Sequence, residues 1–538
     1  MRCPTAAPAV LVAALLAGAG CGSVPSPPRS GAVPGDGSDG LPLPPAACGA
    51  PAPPDSWPGP TSVVGTGTPA SCTEAALETA LAAGGTITFD CGPDPVVLYV
   101  SREKVITRDT RIDGADLVTL SGGGVTRILA VHGFFDTPGP HLRVERLGFR
   151  DGRSSGSPTP LGTDVDGGGG AIFHLGGTVT AVGCRFIGNR AAEWGPDVAG
   201  GAISGIGNPA ATTVVGCAFR GNRAANGGAL GSLHTEVTII DSTFEGNEAT
   251  GRGANSVDGT GQQVGHGGNG GALSMDGENR TLSICGSTFR ANRAGAFGGA
   301  LFRTSYHEEA TTIDRSTLDA NVVADEPDSG AGAAYLQGTR ATITASAVTR
   351  NTANGGAGLR FHDHGAAQAT VDLTNVTIAG NFVRERADFA TMGLAGGLWT
   401  ADVDGTIRSC TIAGNRAQFA AGILGLGGLT IENSIVVNDA ANRWVNGNCH
   451  DFAGATAAGA RVLQQADPDQ LEDDDCIAGG VDRGDPLLGP LGLHGGPTET
   501  AIPGATSPAI GAGSGCPATD QRGVTRPAAC TLGAAEPP

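Results

Sequence analysis

The stretch Cys184-Arg-Phe-Ile-Gly-Asn189, followed after a loop by Gly200-Gly-Ala-Ile203, decides the fold because it keeps returning. It recurs as Cys217-Ala-Phe-Arg-Gly-Asn222 with Gly227-Gly-Ala-Leu230, and as Ser242-Thr-Phe-Glu-Gly-Asn247 with Gly270-Gly-Ala-Leu273. A fourth copy is Ser287-Thr-Phe-Arg-Ala-Asn292 with Gly298-Gly-Ala-Leu301, and weaker ones end at Asn321, Asn351, Asn381, Asn415 and Asn438. The asparagines lie 33, 25, 45, 29, 30, 30, 34 and 23 residues apart. Self-similarity at such a period means stacked units. Each unit adds an alternating segment, such as Thr178-Val-Thr-Ala-Val182 or Thr370-Val-Asp-Leu373, with no intervening helix signal. Two or three short strands per turn predict an all-β chain wound as a parallel β-helix over residues 71–440.

Within that frame the conserved slots are scaffold. Phe186, Phe219, Phe244 and Phe289 precede successive asparagines by three residues and are expected to stack as an internal column. The asparagines are expected to form an internal ladder, each amide bonding the next coil, because buried polar groups must be paired. Cys184 and Cys217 share one slot with Ser242 and Ser287. On neighbouring coils about 4.8 Å apart, they fit either a disulfide or small-residue packing.

Composition bounds the function. The chain has 538 residues, 90 of them glycine, and only 4% aromatics, with a formal charge of −19. That charge argues against nucleic acid, whose phosphates need Lys and Arg, and against docking on an anionic membrane surface. Lys104 is the sole lysine. The thirteen cysteines lack zinc spacing, so no metal or other cofactor is expected. Nearest-neighbour pairs Cys72–Cys91, Cys449–Cys476 and Cys516–Cys530 are reasonable disulfides in an exported chain.

The first 20 residues read as a signal peptide, with Arg2 and then the apolar run Ala9-Val-Leu-Val-Ala-Ala-Leu-Leu16, too short to span a bilayer. Small residues running into Cys21 resemble a bacterial lipobox, which implies lipidation of Cys21, with Gly18 departing from the usual Leu. Cleavage near Ala19 is the alternative. Residues 21–70 are rich in Pro and Gly and read as an extended linker. Ser71-Cys-Thr-Glu-Ala-Ala-Leu-Glu-Thr-Ala-Leu-Ala83, capped by Ser71 or Thr73 and stopped by Gly84-Gly85, is the one helix expected. It would cover the open end of the stack.

From Cys72 through Thr86-Ile-Thr-Phe89 and Arg111-Ile-Asp-Gly114 to Thr119-Leu-Ser-Gly122, the chain resembles the CSLREAI region that opens many bacterial surface right-handed parallel β-helix proteins of the pectin-lyase-like kind. The name-giving motif is degraded here to Cys72-Thr-Glu-Ala-Ala. After Asn438 the repeat fails, and residues 441–538 are expected as an irregular C-terminal cap. Its series Asp485-Pro-Leu-Leu-Gly-Pro-Leu491, His494-Gly-Gly-Pro-Thr498, Ser507-Pro-Ala-Ile510, Asp520-Gln-Arg-Gly523 and Leu532-Gly-Ala-Ala-Glu536 is similar to the "choice-of-anchor Q" C-terminal region. It departs at Gly511, where an Asp is usual, and at Thr531. No sorting signal follows, so the N-terminal lipid is the expected anchor.

Function is expected where the repeat is irregular. Between Asn and Gly-Gly lie 4 residues at 223–226, but 10 at 190–199, 22 at 248–269 and 14 at 382–395. Loops inserted at one turn emerge along one edge, the usual place for a site on a rigid scaffold. They carry Glu193, Trp194, Asp197, His266, Arg384, Arg386 and Asp388. If the aliphatic after Gly-Gly points inward, the next residue points outward, exposing Phe302, Arg360 and Trp399, with His362 further along; a register slip would bury them. Planar side chains at the coil spacing suit a sugar chain. Carboxylates for pectin-lyase-like chemistry would be Asp363 and Asp402, each four residues after an inward leucine. The reading is therefore an exported monomer, lipid-anchored at the envelope or secreted, that binds polysaccharide or another cell surface without catalysis. A polysaccharide lyase or hydrolase is the first alternative, and a structural spacer the second.

Overall fold

The computed structural model describes residues 31–34, 47–49, 57–59, 61–154, 167–262, 264–326, 329–385, 393–401, 403–437, 447–465 and 476–538. Signal peptide, Cys21, Arg386, Asp388, Asp402 and Asn438 lie outside them. The repeats stack as the expected right-handed parallel β-helix, the hand that crossovers between parallel strands favour. Strands fall into sheets of 28, 12 and 6. The largest takes two strands from each coil, for example Thr178–Val182 and Arg185–Ile187. These merge because Thr110–Ser121 and His141–Arg150 each run through both positions. The second sheet contains the strand after Gly-Gly, and the third a two-residue strand after the asparagine, such as Arg223–Ala224.

The motif residues explain themselves in the coil. Phe149, Phe186, Phe219, Phe244 and Phe289 stack nearly parallel, with successive centroids 4.9, 4.6, 4.5 and 4.7 Å apart. Beside them eight asparagines, Asn189 to Asn415, form the expected ladder. The backbone N–H and side-chain Nδ2 of Asn222 both donate to Asn247 Oδ1, and Nδ2 also donates to the Phe186 carbonyl. Every amide proton and lone pair is thus used, which is what burial demands. The Gly-Gly pair has two separate causes. Gly270 holds φ +66°, which L side chains avoid, while a Cβ on Gly271 would lie 2.1 Å from the Gly299 carbonyl oxygen of the next coil. Cys184 and Cys217 are free thiols; the Cys184 N–H meets Cys217 Sγ, as the Cys217 N–H meets Ser242 Oγ, so thiol and hydroxyl serve alike.

Both ends of the chain are more engaged than their composition suggested. The helix spans Glu74–Ala83, capped by Thr73, and Lys104 is buried against Glu74 and Glu78, tying that helix to the first strand of the second sheet. Thr61–Val64 already pairs with the strand of Gly85–Phe89, so the solenoid starts ahead of residue 71. Cys72–Cys91, Cys449–Cys476 and Cys516–Cys530 are bonded as expected. A fourth disulfide was not foreseen: Cys48 bonds Cys285, while the Cys48 N–H donates to Asp241 and Arg315 to the Ala47 carbonyl. The linker is therefore strapped to the solenoid mid-length.

The irregular C-terminal region does more than close the last coil. It returns along the corner between the two strands of the large sheet. Thr498 donates to the Ala345 carbonyl, Arg526 to Asn375 Oδ1, and the Ala534 N–H to Thr411 Oγ1, across three coils. Buried ion pairs Arg526–Glu536 (2.7 Å) and Arg522–Asp520 (2.6 Å) hold its own turns.

Candidate functional site

The variable loops gather on one edge, as their position in the repeat requires, and lock to one another. Trp194 packs edge-on against His266 at 5.0 Å, the Gly195 N–H donates to the His266 carbonyl, and Asn226 Nδ2 donates to the Pro196 carbonyl. Further along, Arg384 donates to Asn354 and to the Val323 carbonyl, so its charge braces the loop wall. This wall flanks the outer face of the second sheet.

Pairing register settles which side chains face out there. Leu273, Leu301, Ala334, Leu359 and Leu398 are in line and buried in the core. The following position therefore faces outward, and it runs Ser204, Gly231, Ser274 and then Phe302, Tyr335, Arg360, Trp399. Three small residues and four planar ones divide the face into a cleft and a ladder.

In the ladder, Phe302 and Tyr335 stack at 5.4 Å with an interplanar angle of 5°. The Arg360 guanidinium lies 5.5 Å from the Tyr335 centroid, 4.1 Å from that of Trp399 and 5.9 Å from that of Phe297. Phe302 is outward but only 9% exposed, because its face is covered by Tyr335. The rings consequently offer edges where the sequence suggested open faces. What the box leaves over is the guanidinium: Arg360 Nε has no hydrogen-bond partner, and no carboxylate pairs with the side chain among the described residues. Burial lowers its pKa, leaving it a cation at neutral pH. His362 stands two residues on, its Nδ1 at 3.0 Å from the Asp363 carbonyl. Asp363 accepts the Ala369 N–H at 2.7 Å and so closes a turn.

The cleft contains a carboxylate pair that the repeat pattern did not single out. Asp197, from the first long loop, and Asp276, outward on its strand, line it with Ser204, Ser274 and Asn226. Its cavity volume is about 20 Å³, room for one water and not for a sugar ring. Burial lifts the Asp197 carboxyl to about 6, helped by the Asp276 charge and opposed by an Asn255 hydrogen bond. Burial also raises Asp276, against the pull of the Tyr306 hydroxyl and Arg303. A carboxyl poised near neutrality beside a second acid has the properties of a general acid. Asp276 was findable only as the one acidic residue at the fourth position of the aligned second-sheet strands, a signal that needs the register first.

No family model matches the chain, and no curated protein does. Among solved structures, the periplasmic alginate epimerase AlgG is 8% identical over 71% of this chain and 86% of its own, with a TM-score of 0.37. PfbA, a surface adhesin of Streptococcus pneumoniae, is 10% identical over 76% and 93%, with a TM-score of 0.29. The endo-xylogalacturonan hydrolase from Aspergillus tubingensis is 13% identical over 79% and 99%, also at 0.29. Similarity this low says nothing of the site.

Proposed function

We propose that this is an exported, cell-surface β-helix protein that binds an acidic polysaccharide along the outer face of its second sheet. The observation that carries the reading is Arg360, a cation wedged between Tyr335 and Trp399 with no acidic partner among the described residues. A carboxylate arriving edge-on would supply that partner, whereas the covered ring faces favour no neutral sugar. Four disulfides fit an oxidising compartment. The lipobox-like run into Cys21 and the motifs similar to the CSLREAI and choice-of-anchor Q regions support attachment at a bacterial envelope. Calorimetric titration with oligogalacturonate, oligoalginate and their neutral methyl esters tests this. Arg360→Gln should lower affinity roughly tenfold, the loss of one charge-assisted hydrogen bond, and Trp399→Ala should lower it too. Equal binding of the methyl esters would sink the idea.

A second reading, chemistry on the same polymer, is favoured by Asp197 beside Asp276. Turnover of these polymers that disappears in Asp197→Asn and in Asp276→Asn would establish it. Turnover lost instead in Asp363→Ala or Asp402→Ala would assign the chemistry to those carboxylates.

A further inference from the structure

At the asparagine corner, near the start of the third sheet, Arg153, Arg190 and Arg223 stand in register on three successive coils. One coil step of about 4.8 Å separates such neighbours, so like charges are forced together. For Arg223 the repulsion is relieved: Glu248 lies at 3.1 Å, and the same carboxylate also reaches Arg293 at 3.9 Å. Arg153 and Arg190 are exposed, and among the described residues neither guanidinium has a hydrogen bond or an acidic partner. In a chain of formal charge −19, two adjacent unneutralised arginines need a cause.

They border a groove of about 480 Å³, within the range of ligand sites. Tyr99 forms one side, and glycines, Gly123, Gly124, Gly152 and Gly188, line much of the rest. A Cβ on Gly124 would meet nothing within 4 Å, so a ligand can approach the backbone there. Among the described lining residues the one acid, Asp151, is already paired with Arg150 at 2.9 Å.

We propose that this groove binds a carboxylate-bearing oligosaccharide, with Arg153 and Arg190 each taking a carboxylate from neighbouring sugar units. A planar guanidinium receives a carboxylate through two parallel hydrogen bonds. A uronate chain repeats its charge at about the length of one ring, close to one coil step, so a single strand can satisfy both arginines. A monovalent anion would relieve only one. The groove shares no residue with the Arg360 box and stands whether or not that box binds.

The test is calorimetric titration of the full chain with oligogalacturonate, oligomannuronate and oligoguluronate at low and moderate salt, beside neutral methyl esters. The Arg153→Gln/Arg190→Gln double variant should lose affinity by roughly tenfold per arginine, with a shallower dependence on salt. Arg360→Gln should leave this component in place. Thr312→Ala, at an exposed strand position outside the groove, serves as the control and should bind as wild type. The proposal is overturned if the double variant binds like wild type, if the methyl esters bind equally, or if wild type binds none of the three uronates at low salt. Loss confined to Arg360→Gln would assign all binding to the second-sheet face.

Discussion

At the scale of single residues, the chemistry turns on charges whose neighbours were invisible in the linear chain. Asp197 titrates near 6, above its unfolded value of about 3.9. Because the folded state holds that proton more tightly, its stabilising effect is complete below about pH 4 and is lost as pH rises through 6. Thermal unfolding from pH 4 to 8 should show stability falling across that window, and Asp197→Asn should flatten the fall and raise stability at pH 8. An unchanged pH profile in the variant would refute the assignment. Alternation after Gly-Gly put Arg360 and Trp399 on the outer face only if the leucine before each points inward, and the pairing register decided that it does. That Arg360 would be boxed by Phe297 and Tyr335 could not, because Phe297 belongs to a loop whose path depends on the coils beside it.

At the scale of the element, the coil is held by groups that satisfy one another across coils. Asn292 Oδ1 accepts two donors from Asn247, and Asn292 Nδ2 serves the Phe244 carbonyl. Asn292→Ala takes the acceptor from the Asn247 N–H and from one Asn247 Nδ2 proton, the other keeping the Phe219 carbonyl, and a donor from the Phe244 carbonyl, at about 1–3 kcal/mol for each group left unpaired in a dry corner. Chemical denaturation should therefore show a larger loss than for Thr312→Ala on an exposed strand position. Phe244→Ala opens a void inside the ring stack and should cost about 3–5 kcal/mol. These elements were legible because their spacing repeats in sequence. Phe149 extends the stack, yet it precedes the first asparagine of the series and so escaped the pattern. The buried pair of Lys104 with Glu74 is likewise a contact between a helix and a distant strand. Lys104→Met should leave the buried Glu74 carboxylate without its cation, while Glu78 keeps Arg102 at 2.8 Å, and lower the melting temperature by several degrees.

At the scale of the whole molecule, the solenoid is a rod with two straps. The Cys48–Cys285 disulfide joins residues 237 apart and brings the N-terminal segment to the middle of the stack. Cys48→Ser with Cys285→Ser should release that segment to protease while leaving the solenoid's circular dichroism unchanged; an equally resistant segment would show that Asp241 and Arg315 suffice. By itself, the sequence determined that the chain winds into coils, which residues line the interior, and along which edge the loops emerge. All of these follow from a period, and a period is a local property written into the chain. Only the tertiary structure decided that Asp197 meets Asp276, that Arg360 is boxed while Arg153 and Arg190 find no acidic partner among the described residues, and that Cys48 and the C-terminal region lie against the stack. Those are meetings between residues at unrelated positions in their coils. They depend on how loops of unequal length pack beside one another, and no period encodes that.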